Sequence, residues 1–534
     1  MSRLSRLLII EKTIRTYDTN VYMRYRIKNT NTSLKFIIMK KAFLIMSILW
    51  LSTHSINAQS RTIAVDTTVI TAHTTTINGV KISYTATTGT QPVWDELGKP
   101  IATLFYTYYK KNTSDNSANR PLLISFNGGP GSASVWMHIA YTGPKVLNID
   151  DEGFPIQPYG VHENPYSILD VADIVYINPV NTGYSRTIPA SGKEVKRELF
   201  FGINADITYL ADWLNTFITR NERWTSPKYL IGESYGGTRV SGLALELQEK
   251  QWMYLNGVIM VSPADYNVFN SDSPISSSLN LPYFTAAAWY HKALSPDLQE
   301  KDLLEVLPES EEYTLNTLMP ALAKGGSISP EERKQIAAKM AYYSGISEKS
   351  ILQHNLDVPT DFFWKELLRD KTGNTIGRLD SRYLGLDKME AGTAPDYSAE
   401  LTSWLHSFTP AINFYIREHL KFKTDIKYNM FGPVHPWDDR NNNTRDNLRK
   451  AMAENPYLKV MFQTGYYDGA TTYFNSKYTM WQIDPSGKMK DRLSFKGYRS
   501  GHMMYLRKAD LKTANDDIRL FIEESLSKGK SAKY

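Results

Sequence analysis

A serine placed between two glycines, at the junction of an apolar run and a helical pattern, restricts the fold of this chain most. Residues 232–236 read Gly-Glu-Ser-Tyr-Gly and directly follow the apolar run 229–231. A sharp strand-to-helix turn lifts such a serine hydroxyl out of the sheet edge, toward a base that can take its proton. The flanking glycines let the chain bend and let the helix pack closely. This context favours a nucleophilic Ser234 over an ordinary turn.

A nucleophilic serine of this kind needs an acid and a histidine that follow it in the chain. His502 comes just after the alternating segment 493–498 and is the predicted base. His435 is flanked by prolines with no strand before it, which favours a surface loop. Asp468 follows the strand-like run 458–464, so it is the predicted acid that holds the imidazole in one tautomer. An Asp-Gly turn is the alternative interpretation of that position.

A glycine-rich segment follows another predicted strand. Residues 127–132 read Asn-Gly-Gly-Pro-Gly-Ser and come directly after the apolar run 122–126. Backbone N–H groups in such a loop can approach a substrate oxygen, as an oxyanion hole requires. A phosphate-binding loop is the alternative. It is disfavoured because no Gly-Lys-Ser/Thr follows, the G-x-G-x-x-G spacing is absent, and Pro130 removes a donor.

Taken together, these motifs resemble those of the serine carboxypeptidase family of secreted α/β-hydrolase exopeptidases. The pattern of residues 377–382, Gly-Arg-Leu-Asp-Ser-Arg, is similar to the bacterial branch of that family. The shared motifs extend from about residue 100 to residue 505 in the family's order, and they lie at 127–131, 143–144, 181–185, 232–236, 465–468 and 501–503.

The resemblance implies a serine-type carboxypeptidase that releases C-terminal amino acids from peptides through an acyl-enzyme. Ser234 would be the nucleophile, His502 the general base and then the general acid, and Asp468 the orienting carboxylate. The expected partners are the C-termini of peptides or proteins, with no cofactor and no metal, and the sequence does not predict an oligomeric state. Two alternatives stay open: an esterase or acyltransferase that uses the same three residues, and a catalytically silent relative that binds peptides.

The resemblance also implies two groups of residues that contact the substrate. The N–H groups of Gly129 and Tyr235 would form the oxyanion hole, and Asn127 and Glu233 would hydrogen-bond the free C-terminal carboxylate. A carboxylate beside Glu233 is tolerable only if Glu233 is protonated, because two like charges in contact disfavour ionisation. This chain departs from the well-studied eukaryotic members in having Tyr141 at the spacing of their second glutamate.

The order of the patterns predicts an α/β fold: an α/β-hydrolase with a mostly parallel central sheet flanked by helices. Residues 60–275 are the predicted first half of the core, 276–425 a helical cap inserted over the active site, and 426–534 the second half. Alternating residues from 62 to 109 predict antiparallel strands, and the Asn-Gly pair at 78–79 predicts a hairpin between two of them.

The N-terminal region carries an export signal. Residues 39–58 combine a basic start, a short apolar run and a plausible cleavage site after Ala58, as in a secretory signal peptide. Residues 1–38 are interpreted as an upstream extension or a misassigned start. The apolar run is short for a membrane span, so no stable insertion is expected, with an uncleaved anchor as the alternative. Because the chain has no cysteine, we expect a periplasmic or secreted bacterial protein without disulfides.

The net charge of +6 comes from the N-terminal region and not from the rest of the chain. Residues 1–38 hold eight basic and two acidic side chains, and Lys40 and Lys41 add two further positive charges. Without these the rest of the chain has a net charge of −2. A nucleic-acid partner therefore has no electrostatic support.

Overall fold

A computed structural model describes residues 61–113, 119–189, 195–264 and 273–532 of the chain. The predicted extension, 1–38, and the predicted signal peptide, 39–58, lie outside the described residues.

The described strands, numbered along the chain, are β1 (Thr67–Ile77), β2 (Val80–Trp94), β3 (Pro100–Lys111), β4 (Leu122–Phe126), β5 (Lys145–Leu147), β6 (Val161–Glu163), β7 (Asp173–Ile177), β8 (Arg186–Thr187), β9 (Lys228–Glu233), β10 (Gly257–Val261), β11 (Thr375–Ile376), β12 (Leu384–Gly385), β13 (Lys459–Gly465) and β14 (Leu493–Tyr498). Ten of them form one sheet in the order β1-β2-β3-β7-β4-β9-β10-β13-β14, with β8 paired to β3.

The sheet is antiparallel at one end and parallel through the rest. β1, β2, β3 and β7 pair antiparallel, whereas every pairing from β7 to β14 is parallel. β1 and β2 are joined through Asn78 and Gly79, both with positive φ, as a tight two-residue hairpin turn requires. β4, β7, β9 and β10 are buried along their whole length, because helices cover both faces of a parallel sheet. The prediction of a mostly parallel α/β sheet flanked by helices is confirmed.

The described α-helices are α1 (Val135–Ala140), α2 (Ile203–Arg220), α3 (Tyr235–Lys250), α4 (Pro274–Ser278), α5 (Leu281–Tyr290), α6 (Pro296–Gln299), α7 (Leu303–Tyr313), α8 (Met319–Lys324), α9 (Pro330–Ser344), α10 (Glu348–Gln353), α11 (Thr360–Glu366), α12 (Arg369–Thr372), α13 (Ala399–Phe414), α14 (Thr444–Glu454), α15 (Tyr473–Ile483) and α16 (Lys508–Ser525).

The helices from α4 to α13 lie between β10 and β13 in the chain. Those from α5 to α11 contribute to an apolar core separate from the two that cover the sheet, and Leu298, Val306, Met340 and Phe363 are among its buried members. Such a core allows a large segment to be inserted between two strands of the sheet without interrupting their pairing. Within the described part of the chain, no helix has both the length and the apolar character needed to cross a membrane.

Candidate active site

Ser234 occupies a sharp turn between β9 and α3. Its φ of 58° and ψ of −126° are unusual for a residue other than glycine, and its N–H donates to the carbonyl of Val261 on β10 at 2.9 Å. A Cβ atom on Gly232 would lie 2.1 Å from the carbonyl oxygen of Gly236, so the strand and the helix approach each other too closely for any side chain there. The backbone therefore holds Ser234 at the strand-to-helix junction that the sequence predicts.

His502 and Asp468 form a buried pair. Asp468 follows β13 and His502 follows β14, the neighbouring parallel strand, so both lie beyond the carboxyl ends of the strands. The Nδ1 atom of His502 is 2.7 Å from Oδ2 of Asp468. With Nδ1–H donated to the carboxylate, the neutral imidazole keeps its lone pair on Nε2, the form that a general base needs.

Backbone contacts and one hydroxyl fix this pair. The N–H groups of Ala470 and Thr471 donate to Oδ1 of Asp468 at 2.9 and 3.1 Å, and the Thr471 hydroxyl donates to Oδ2 at 2.6 Å. The N–H of His502 donates to the carbonyl of Leu379 at 2.7 Å, and its own carbonyl accepts from the Ser262 hydroxyl at 2.8 Å. The orientation of both side chains is therefore set before a substrate binds.

The environment of His502 favours its charged form. Burial lowers the pKa of the imidazole, but the charge and the hydrogen bond of Asp468 outweigh burial, and Glu233 acts in the same direction. The charge of Arg378 opposes them. The pKa of His502 is consequently raised above its ordinary value, which suits a group that must hold a proton during a reaction.

One cavity of about 210 Å³ joins Ser234, His502 and Glu233. Its other lining residues are Gly128, Gly129, Ser132, Trp136, Arg378, Leu379, Leu401, Trp404, Phe431 and Met503. Leu401 and Trp404 come from α13, so the segment inserted between β10 and β13 supplies part of the cavity wall. The cavity is mostly apolar with a few convergent polar groups, as in sites that bind small molecules or peptide ends.

The glycine-rich loop lies against the turn that carries Ser234. A Cβ atom on Gly128 would be 2.5 Å from the carbonyl oxygen of Glu233 and 2.6 Å from the N atom of Tyr235. Tyr235 is the first residue of α3, and the first N–H groups of a helix have no partner within the helix. Gly129 lines the same cavity. The loop that contains Gly129 thus lies against the start of α3, where Tyr235 is, although the two predicted oxyanion-hole residues are far apart in the chain.

Arg239 hydrogen-bonds the glycine-rich loop from α3. The side chain is fully buried on α3, its Nη1 donates to the carbonyl of Asn127 at 2.6 Å, and its Nη2 lies 3.4 Å from the carbonyl of Pro130. Its charge is balanced by Asp206 on α2, whose Oδ2 accepts from Nε at 2.7 Å. The guanidinium therefore ties the glycine-rich loop to the helix that follows Ser234.

Glu233 is a buried carboxyl with two donors. Asn127 donates to Oε1 through Nδ2 at 2.9 Å, and the Tyr505 hydroxyl donates to Oε2. Burial raises the pKa of Glu233 to about 7, although the charge of His502 and these two hydrogen bonds lower it. Near neutral pH the side chain can therefore carry the proton that it needs in order to face another carboxylate.

Tyr141 does not contribute a polar group to the cavity. Its ring stacks on Tyr505 with centroids 4.6 Å apart and planes at 10°, and its hydroxyl donates to Oε1 of Gln463 at 2.6 Å. The ring thus supports the tyrosine that contacts Glu233. Where the family pattern places a second carboxyl, this chain has an aromatic pair.

Four residues that act on this site are not among the predicted site residues. Thr471, Tyr505 and Arg239 contact Asp468, Glu233 and the glycine-rich loop, and Arg378 lines the cavity. Each of the four lies inside a motif or within five residues of one, which is a weak signal in the sequence. Thr471 is three residues after Asp468, and Tyr505 is three after His502. Arg239 is five residues after Ser234, and Arg378 is the second residue of the motif 377–382. His435 is exposed, and no group of three or more His, Asp or Glu among the described residues is arranged to hold a metal ion.

The sheet order, the Ser234 turn and the His502–Asp468 pair beyond adjacent parallel strands define an α/β-hydrolase. A family model described as serine carboxypeptidase matches residues 96–492, so the chain belongs to the serine carboxypeptidase family.

Individual relatives are distant. Serine carboxypeptidase-like 36 of Arabidopsis thaliana is 27% identical over 173 residues, which is 32% of this chain and 33% of that protein. Serine carboxypeptidase S10 family member 1 of Dictyostelium discoideum is 26% identical over 156 residues, 28% of this chain and 32% of that protein. These matches span about a third of each relative. The crystal structure of Kex1(delta)p, a prohormone-processing carboxypeptidase from Saccharomyces cerevisiae, shares the fold at 16% identity, with a TM-score of 0.51 over 83% of this chain and 92% of that one.

Proposed function

We propose that this protein is a serine-type carboxypeptidase that releases C-terminal amino acids from peptides. The observation that carries the proposal is the single cavity that joins Ser234, His502 and the buried carboxyl of Glu233. Family membership supports the same conclusion. A nucleophile and a base beside a protonated carboxyl can act on the last peptide bond of a chain, because the protonated carboxyl can lie next to the C-terminal carboxylate without charge repulsion.

In the proposed reaction, the Ser234 hydroxyl attacks the last peptide carbonyl while Nε2 of His502 takes its proton. Asp468 keeps the imidazole oriented and stabilises its charged form. The N–H groups of Gly129 and Tyr235 hold the negative oxygen of the tetrahedral intermediate. His502 then protonates the departing amine. Water attacks the acyl carbonyl as it loses a proton to the same nitrogen, and His502 returns that proton to Oγ of Ser234 as the bond from the acyl carbon to Oγ breaks.

The second part of the proposal concerns recognition of the free C-terminus. Asn127 and protonated Glu233 are the proposed partners of the α-carboxylate. Met137 N–H donates to Oδ1 of Asn127 at 3.2 Å, so the amide directs its NH₂ toward Glu233. Asn127 is buried and does not line the cavity, whereas Glu233 does, so Asn127 contacts a carboxylate only if the site adjusts when the substrate binds. A pKa of about 7 for Glu233 keeps the carboxyl neutral through acid conditions, and ionisation above that range would repel the substrate.

The decisive experiment compares Ser234→Ala with wild type on a blocked dipeptide, offered as the free acid and as the C-terminal amide. The substitution should lower kcat on the order of 10⁶-fold, and wild type should cleave the free acid far faster than the amide. Ser327→Ala is a matched control, because this exposed serine donates to the Lys324 carbonyl and is not among the residues that line the cavity, and it should keep full activity. Equal cleavage of acid and amide would favour an esterase or acyltransferase, and failure to label with a fluorophosphonate would favour a silent peptide-binding relative.

We also propose that the chain belongs to the bacterial branch of the family and acts in the periplasm or outside the cell. Support comes from the pattern at 377–382, from the signal-like residues 39–58 and from the lack of cysteine. N-terminal sequencing of protein recovered from a bacterial periplasm should begin at Gln59. Recovery of an uncleaved protein in the membrane fraction would contradict this proposal.

A further inference from the structure

Among the described residues that line the cavity around Ser234, one carries a permanent positive charge. Of these lining residues only Glu233, Arg378 and His502 are ionisable, and the others are apolar residues, glycines and two serines. Burial raises the pKa of Glu233 to about 7, and His502 has to exchange a proton in the proposed reaction, whereas a guanidinium stays charged. Arg378 therefore sets the charge that an arriving substrate meets.

The backbone of Arg378 is held between the two loops that carry Asp468 and His502. Its carbonyl accepts from the N–H of Gly469 at 3.0 Å, and the carbonyl of the next residue, Leu379, accepts from the N–H of His502 at 2.7 Å. On the other side, the N–H of Leu379 donates to Oε1 of Glu400 at 2.8 Å. The backbone that carries the Arg378 side chain is thus held in place relative to the loop of His502.

Arg378 differs from the other arginine of the same turn. Arg382 is buried and forms an ion pair with Asp380, 2.7 Å from Nη2 to Oδ2. The side chain of Arg378 is exposed, and in the part of the chain that the structure describes no carboxylate lies within ion-pair distance of it. Arg382 has its counter-charge within the fold, whereas Arg378, whose guanidinium has five N–H donors, lines the cavity.

Among the described residues that line the cavity, no second acidic group is available to share a proton with Glu233. The Tyr141 hydroxyl is committed to Gln463, and Tyr505 donates to Glu233 itself. A substrate carboxylate therefore gains no help from an acid pair, and Glu233 can assist only while it is protonated. A guanidinium recognises carboxylates through two parallel hydrogen bonds and an opposite charge, independently of pH.

We propose that Arg378 binds a carboxylate of the departing C-terminal residue. This inference rests on the proposed carboxypeptidase function and names the residue that replaces the missing acid pair. Two carboxylates have the required chemistry, the α-carboxylate of every peptide and the side chain of a C-terminal Asp or Glu. Arg378 is a substrate-binding residue, so its loss weakens binding of substrates that carry the carboxylate and spares chemistry on those that lack it.

The test uses Arg378→Gln with four blocked dipeptides and one ester. The peptides are benzyloxycarbonyl-Phe-Ala, its C-terminal amide, benzyloxycarbonyl-Phe-Asp and benzyloxycarbonyl-Phe-Asn, and the ester is N-acetyl-phenylalanine methyl ester. Loss of a charged hydrogen bond should lower kcat/KM about 10- to 100-fold on the affected acids, through KM. The ester has no carboxylate on its leaving side, so its kcat on the plateau of the pH profile should fall far less than kcat/KM on the acids. Loss of the Arg378 charge raises the pKa of His502 and moves the profile along the pH axis, so the plateau is compared and not a single pH.

The pattern of loss identifies the source of the carboxylate. A loss on all free acids assigns Arg378 to the α-carboxylate, and a loss confined to the Phe-Asp peptide assigns it to an acidic side chain. Unchanged kcat/KM on every free acid, with normal ester hydrolysis, would overturn the proposal. Arg440→Gln is the matched control, because Arg440 is exposed, pairs with Asp438 at 2.7 Å and does not line the cavity.

Two further measurements keep the test decisive. If wild type hydrolyses the ester but no peptide, the proposed function fails, and Arg378 is then tested by inhibition of ester hydrolysis. The free acids should inhibit wild type more strongly than the amide, and Arg378→Gln should lose that preference. If Arg378→Gln does not label with a fluorophosphonate, Arg378→Lys replaces it, since it keeps the charge without the planar fork. If Arg378→Lys prefers the free acids over the amide as strongly as wild type does, the two parallel hydrogen bonds of a guanidinium are not required, and that part of the proposal is wrong.

Discussion

The buried carboxyl of Glu233 makes the stability of the fold depend on pH in a way that a single substitution can isolate. Below about pH 4.5 the carboxyl is protonated in both the folded and the unfolded chain, so it costs nothing. As the pH rises from 4.5 toward 7, the unfolded chain loses this proton while the folded chain keeps it. The free energy of unfolding therefore falls across that window and levels off above the folded pKa of about 7.

The size of the effect follows from the shift in pKa. From the ordinary value of 4.5 to about 7, at 1.36 kcal/mol for each pKa unit, the cost above pH 7 is about 3 kcal/mol. Glu233→Gln has no proton to lose and so lacks this cost. Its amide can accept from Asn127 through Oε1 and donate to the Tyr505 oxygen, which turns to accept, so the local hydrogen bonds survive.

The assay is urea unfolding monitored by tryptophan fluorescence. It is run at several pH values between 4 and 8 for wild type and Glu233→Gln. The difference between their unfolding free energies should shift by about 3 kcal/mol in favour of the variant as the pH rises. Tyr505→Phe is a matched variant, because removing the donor to Oε2 raises the pKa of Glu233 further. The fall in the free energy of unfolding should then continue to a higher pH than in wild type. If the difference in unfolding free energy between wild type and Glu233→Gln does not change with pH, a raised pKa of Glu233 is refuted.

Three other substitutions test separate parts of the site. Asp468→Asn should lower kcat about 10⁴-fold with little change in KM, because an amide can donate to Nδ1 of the imidazole and favour the wrong tautomer; a loss under tenfold in steady-state assays would contradict that role. Arg239→Gln leaves Asp206 as an unpaired buried charge and should destabilise the fold by about 3 to 5 kcal/mol in urea unfolding; adding Asp206→Asn should recover part of it, and no recovery would count against the ion pair. Gly128→Ala places a Cβ 2.5 Å from one backbone atom and 2.6 Å from another, so fluorophosphonate labelling should be lost while the circular dichroism spectrum is kept; normal labelling would show that the loop can move aside.

Motifs with a fixed local geometry were predictable from the chain alone. The Gly-x-Ser-x-Gly pattern requires a strand before it and a helix after it, and β9 and α3 are there. The Asn-Gly pair at 78–79 requires positive φ, and it forms the predicted hairpin. In both cases steric constraints over a few residues determine the backbone.

Contacts between distant segments were not predictable in this way. The position of Tyr505, three residues after His502, indicates proximity to the site but not that its hydroxyl meets Glu233, and Tyr141 gave only the absence of a glutamate. Arg378 and Arg382 lie in one short motif with the same side chain, yet one is exposed in the cavity and the other is buried against Asp380. Their difference depends on which elements pack around each, and packing is a property of the whole fold.

The sequence by itself determined the class of fold, the serine turn and the order of the acid and the histidine, because hydrophobic periodicity and backbone sterics act over neighbouring residues. The tertiary structure decided what surrounds those groups. It buried Glu233 until its pKa reached about 7, stacked Tyr141 on Tyr505, and left Arg378 without a carboxylate among the described residues. Desolvation and ion pairing depend on every segment that packs near a charge, so no local pattern encodes them.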